Sequence, residues 1–137
     1  MEDARWQLIV PIKPPNVAKS RLHGSEALAR AIARDSVAAA ARAELVERIV
    51  VVTADAAHAA SLLAIAHVGA VLEAEPRGIA AAIDAGLAEL DRYGRGHPRA
   101  VLLGDVPALQ PADLDAALVN AYLAELFGGE VTAKDFR

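Results

Sequence analysis

Cysteine is absent from this 137-residue chain, which excludes disulfides and thiolate metal sites and says nothing about compartment. Aromatic residues make up only 4%, which disfavours an all-β sandwich and favours closely packed helices. No apolar run approaches the roughly 18 residues of a membrane-spanning helix. The opening stretch MEDARWQLIV carries acidic residues and no long apolar region, unlike a signal peptide. A soluble, cytoplasmic protein without a membrane partner is the default expectation. An excess of positive charge is missing too. Fourteen Lys and Arg against 18 Asp and Glu leave a net charge of −4, so nucleic acid is not an expected partner and any anion site must be local. Neither the glycine-rich dinucleotide fingerprint nor the Walker phosphate loop occurs, which removes two enzyme classes. The four histidines, His23, His58, His67 and His97, have no metal-ligand spacing, and each reads as a surface residue.

What the chain does have is apolar residues, 55% of the total and rich in alanine, in a length that suits one domain. Four strand-length apolar runs, QLIVPI from Gln7, RIVVVT from Arg48, AVLEA from Ala70 and AVLLG from Ala100, are nearly continuous. Strands buried on both faces of a parallel sheet have that pattern. Between them lie segments of helical period. Leu28, Ile32 and Asp35–Ser36 mark a helix opening near Ser25; Leu62, Leu63 and Ala66 mark a second. Ile79, Ile83, Leu87 and Leu90 form one face of a third, and Pro111 opens a fourth that continues through Leu114, Ala117, Leu118 and Ala121. The order β-α-β-α-β-α-β-α predicts an α/β, doubly wound, mostly parallel sheet. Its ligands would lie outside the carboxyl ends of the strands. An exposed sheet edge would favour self-association into a homo-oligomer.

The polar residues that follow each strand gather at that edge. Lys13, Lys19 and Arg21 surround a Pro-Pro-Asn turn after the first strand. Such donors suit phosphate oxygens, Arg gripping two at once and Lys acting as a mobile point charge; a solvated basic loop is the alternative. Asp105 follows AVLLG directly. It suits a magnesium ion carried on nucleotide phosphates, which needs only one or two protein carboxylates, or it is a turn-capping aspartate. In EAEPRGIAAAIDAGL, Gly78 would let a ligand approach the backbone and Glu75 would accept hydrogen bonds from a base or a ribose. The alternative is a turn glycine among solvated acids.

Five segments, PIKPPNVAKSRL, LARAIARDSVAAA, VVVTAD, EPRGIAAAIDAGL and VLLGDVPALQPADL, stand in an order and spacing that resemble one family. It comprises the guanylyltransferases of deazaflavin coenzyme (F-420) biosynthesis, acting on 2-phospho-L-lactate or phosphoenolpyruvate. The resemblance covers about residues 8–118. It implies a Rossmann-like nucleotidyltransferase fold, like that of the molybdenum-cofactor guanylyltransferases, here truncated after the fourth strand. It also implies transfer of GMP from GTP to a small phosphorylated acid, with magnesium, and release of pyrophosphate. By position, Lys13, Lys19 and Arg21 would face the triphosphate, Asp55, Glu75 and Gly78 would border the guanosine, and Asp105 would hold the metal. Lys19, Arg21 and Asp105 are the expected catalytic set.

Two departures accompany the resemblance. Where the family commonly has Gly-Leu-Asn, this chain reads Gly78-Ile79-Ala80, so a side-chain amide near the nucleotide is missing. The family also continues past the fourth strand with an Asp and a Gly-Thr-rich segment for metal and acceptor phosphate, and nothing after Leu118 matches them. Residues 1–118 thus read as the N-terminal, nucleotide-binding part of a nucleotidyltransferase domain and residues 119–137 as an atypical tail. That tail, VNAYLAELFGGEVTAKDFR, resembles a segment of bacterial type IB DNA topoisomerases in which the arginine matching Arg137 is catalytic. A fusion or frameshift would account for it, and so would a chance match. The rival expectation to an active enzyme is a catalytically inactive remnant that at most binds nucleotide. The isolated chain is accordingly expected to release no pyrophosphate from GTP with either acid.

Overall fold

The computed structural model describes residues 5–13, 26–94, 96–104, 106 and 108–126, with side chains as far as residue 122. Lys19, Arg21, Asp105 and most of the topoisomerase-like tail lie outside them. Four strands, β1 (Trp6–Pro11), β2 (Val46–Thr53), β3 (Val68–Leu72) and β4 (Arg99–Val101), alternate with four helices. The helices are α1 (Glu26–Arg42), α2 (Ala56–Leu62), α3 (Ile79–Asp91) and α4 (Pro111–Leu126). All strand pairs are parallel, in the order β3-β2-β1-β4. The chain steps outward from β1 through β2 to β3, then returns past β1 to β4, the reversal at which Rossmann-like sheets bind ligands. Among the described residues no helix is long and apolar enough to cross a membrane.

Alternation along the strands sorts the core into two layers. Leu8 and Val10 of β1 and Ile49 and Val51 of β2 pack on one face with Val37 and Ala40 of α1, Leu62 of α2, and Leu114, Leu118 and Ala121 of α4. Ile9, Val50 and Val52 face the other way and meet only α3, through Ala82 and Leu90 with Ile83 and Leu87 beside them. Three helices cover one face and a single helix the other. Val46 and Ile49 join the same layer although three residues apart. A register shift resolves this: Trp6 partners Val46 while Gln7 partners Arg48, so one extra residue on β2 resets the side-chain parity.

Several elements differ from the sequence expectation. α2 ends at Leu62, short of Ala66, where the chain turns with the Ile65 amide on the Leu62 carbonyl at 3.0 Å; His67, with φ of 68°, then leads into β3 two residues earlier than Ala70. β4 is only three residues long, although the Leu102 amide still bonds the Ile9 carbonyl at 2.9 Å. In α1 the buried face is Ala33, Ser36, Val37 and Ala40, whereas Leu28 is 48% exposed. Small side chains let this helix lie close to the sheet. Ile79 is likewise exposed, and Ala82, Gly86 and Leu90 form the buried line of α3 instead. α4 follows the expected pattern, with Leu114, Ala117, Leu118 and Ala121 all buried.

Candidate functional site

At the carboxyl edge of the sheet, on the face covered by α3 alone, is a cleft of about 260 Å3. Its walls are Pro11, Ile12 and Lys13 after β1, Val52 of β2, Glu73 after β3, Pro76, Gly78, Ile79 and Ala82 at the start of α3, and Leu103 after β4. One helix spread over two strands cannot cover the top of the sheet, so the space above Val52 stays open. The lining is apolar apart from Lys13 and Glu73. The volume is below the roughly 300–1,000 Å3 of pockets that enclose drug-sized ligands; it suits one ring system with the rest of a ligand outside.

Gly78 sits at the cleft mouth as the residue before α3, with φ of 97° and ψ of 177°. That region of backbone space is almost confined to glycine, and no heavy atom lies within 4 Å of where a Cβ would stand. The helix has no side-chain cap at this end, so its first amides are left for other partners. The loop after β4 approaches from the other side. Gly104 lies against the end of β1, where a Cβ would stand 3.1 Å from Ile12 Cγ1. The buried Ser36 hydroxyl of α1 is 2.9 Å from both the Val106 and Ile32 carbonyls. The described residues on either side of Asp105 are thus held, Gly104 against the end of β1 and Val106 against α1.

The sequence candidates that the structure describes do not all converge. Lys13 and Gly78 line the cleft together. Glu75 lies outside the lining, 78% exposed, and pairs with Arg77 at 3.4 Å. Asp55 is at the same edge but serves the opposite layer. It caps α2, accepting the His58 backbone N–H at 3.1 Å, and pairs with Arg30 of α1. The His58 amide, followed by the Arg30 guanidinium, holds the Asp55 carboxyl below the usual carboxylate range against an opposing burial effect.

Arg30 and Glu73 are not among the site residues expected from the sequence, and His58 is expected on the surface. Arg30 fills an exposed helical position whose partner is 25 residues away. Glu73 stands two residues from a second acid, Glu75, at the end of the third strand, and nothing local distinguishes the two. His58 is the clear correction: it is 4% exposed rather than on the surface, and its Nε2 has no hydrogen-bond partner.

Burial pushes the His58 pKa down, with Asp55 opposing and Arg30 and Arg34 adding to the effect. An unfolded imidazole takes up its proton near pH 6.5, while the folded one resists. Its contribution is complete above about pH 6.5 and is lost as pH falls toward the folded pKa. Asp55 acts lower, since its contribution is complete above the unfolded carboxylate value and fades beneath it. Chemical denaturation between pH 7 and 5 should therefore show wild-type stability falling relative to His58→Leu. Parallel curves for the two proteins would remove His58 from the account.

An α/β domain with an all-parallel sheet and a cleft at the strand carboxyl ends defines the class of Rossmann-like nucleotide-binding folds. No protein-family profile matches the chain. Individual proteins do. It is 40% identical to the phosphoenolpyruvate guanylyltransferase of Streptosporangium roseum, across 88% of this chain and 55% of that protein. Similar matches are the phosphoenolpyruvate guanylyltransferases of Thermomonospora curvata, 41% identical across 85% and 53%, and Streptomyces scabiei, 37% identical across 93% and 66%. The chain is a homologue of the phosphoenolpyruvate guanylyltransferases, a nucleotidyltransferase family. It spans about half the length of most of the curated relatives it matches.

Proposed function

We propose that the chain is the guanine-nucleotide-binding part of a guanylyltransferase that moves GMP from GTP to a small phosphorylated acid, phosphoenolpyruvate or 2-phospho-L-lactate, and releases pyrophosphate. One observation carries the proposal: the apolar cleft with Lys13 and Gly78 at its rim lies within the segment shared at 37–41% identity with the named relatives. Guanine would occupy the cleft and the phosphates would extend past Lys13 toward Lys19 and Arg21. Those cations would draw charge from the triphosphate. Glu75 and Asp55 would border the nucleoside, Asp55 also fixing Arg30 and the start of α2. The acceptor's phosphate oxygen would attack the α-phosphorus in line, with no protein nucleophile, so the protein's task is to position and to offset charge.

Among the described residues no group of three or more His, Asp or Glu could hold a metal ion. An octahedral magnesium carried on the triphosphate needs only one or two protein carboxylates, and Asp105 is the residue for that role. Bound there, the ion would help neutralise the departing pyrophosphate.

Titration calorimetry with GTP and magnesium tests the reading. Arg21→Ala should weaken GTP binding by about 1.5–3 kcal/mol, the span for hydrogen bonds to charged groups, and leave guanosine nearly unchanged. Equal losses for the two ligands would mean that the loop acts through folding, and no GTP binding by the wild-type chain would sink the proposal.

A further inference from the structure

We infer that Glu73 is the residue that selects the base, reading the N1–H and 2-amino donors of guanine from inside the cleft; this rests on the cleft being the nucleotide site proposed above. Three observations lead to it. Glu73 is the only acid among the described residues lining the cleft, and apart from Lys13 it faces an apolar surround. Its backbone N–H bonds the Thr53 carbonyl at 2.9 Å, continuing the β2–β3 ladder one residue past Leu72. The side chain therefore starts from the sheet and not from a free loop. Its carboxylate has no ion pair or side-chain hydrogen bond with any described residue, although the residue is partly buried. Glu75, two residues on, is turned into solvent and pairs with Arg77.

The chemistry follows from the donor pattern. A carboxylate is acceptor-only, with two oxygens side by side. Guanine offers two adjacent donors on its Watson–Crick edge, and its 2-amino group is the donor that no other standard base places there. The two arrays match as a pair of parallel, charge-assisted hydrogen bonds. Adenine presents an acceptor nitrogen to the same oxygens, and hypoxanthine keeps N1–H but lacks the amino group. Ala80, in the first turn of α3, has no side-chain donor or acceptor for the base. Glu73 is left as the polar group within the cleft that can tell purines apart.

The experiment compares GTP, ITP and ATP binding by calorimetry to the 137-residue chain and to Glu73→Ala, Glu73→Gln and Asp84→Asn. Wild type should prefer GTP to both competitors. Glu73→Ala should reduce each preference by about ten- to a hundred-fold, the range for a lost hydrogen bond to a charged group. Glu73→Gln should do nearly the same despite its matching shape, because its amide turns a donor toward a donor. Asp84→Asn, at an exposed position of α3 outside the cleft lining, should keep wild-type preferences. A Glu73→Ala protein that still discriminates among the three, or that loses affinity for all of them equally, overturns the assignment and leaves the nucleotide site standing. A wild-type chain that binds none of the three removes both.

Discussion

Replacing Gly86 with valine should lower the unfolding free energy by about 3 kcal/mol, toward the upper end of what overpacking a core exacts. Gly86 is in the middle of α3, where glycine is about 1 kcal/mol worse than alanine. Contact with the sheet explains its presence. A Cβ there would stand 2.6 Å from Cγ2 and 3.1 Å from Cγ1 of Ile9. Ile9 cannot retreat: it is 1% exposed, its strand is paired on both sides, and a β-branched side chain is stiff at χ1. Gly86→Ala should come out milder, since improved helix propensity offsets part of the overlap. Combining it with Ile9→Ala should cost less than the sum of the two single changes, because the methyl then enters space vacated by Cγ1 and Cγ2. Urea midpoints at constant slope give these values. Additive losses would show that α3 already stands off from β1.

Leu118→Ala should destabilise the fold by about 2–5 kcal/mol, the range for truncating a fully buried leucine. Leu118 is 0% exposed in the layer that includes Leu8, Val10, Val37 and Ala40. The neighbouring Asp115 ties the same helix to the turn between α1 and β2, accepting the Glu44 and Leu45 amides at 2.9 and 2.8 Å. α4 is thereby part of the same cooperative unit as the sheet, and the variant should unfold in one transition at a lower midpoint. Val119→Ala, one position along and 44% exposed, should change little. An unchanged midpoint for Leu118→Ala would mean that α4 contributes nothing to the domain's core.

The sheet was legible because strands buried on both faces need apolar residues at successive positions, and the four runs carry between three and five of them in succession. α4 was legible for a related reason, since Leu114, Ala117, Leu118 and Ala121 recur at helical spacing on its buried face, with Val119 off that face. α1 was not. Alanine occurs all around that helix, so spacing could not select Ala33, Val37 and Ala40 over Leu28, and Ser36 is buried because its acceptor at Val106 is 70 positions away. His58 carried no mark of burial, which comes from α1 and the sheet packed against its helix. The candidate site was legible as an edge and less so as a set of contacts. Glu73 and Glu75 look alike in sequence, but the ladder holds the first beside the cleft and the turn carries the second out of it. Lys19, Arg21 and Asp105 remain sequence assignments.

The return of the chain from β3 to β4 has a kinetic and entropic side. Gln7 and Arg99, paired across β1 and β4, are 92 positions apart, more than twice the separation of Gln7 from its β2 partner Arg48. Each doubling of a closed loop adds about 0.6 kcal/mol of lost chain entropy. This longest closure is offset by three register pairs, where β1 and β2 share six. Arg99 reinforces it from the side, with bonds to Gln7 at 3.1 Å and Asp91 at 2.7 Å. The wall that Leu103 gives to the cleft therefore hangs on the shortest and most distant pairing in the sheet.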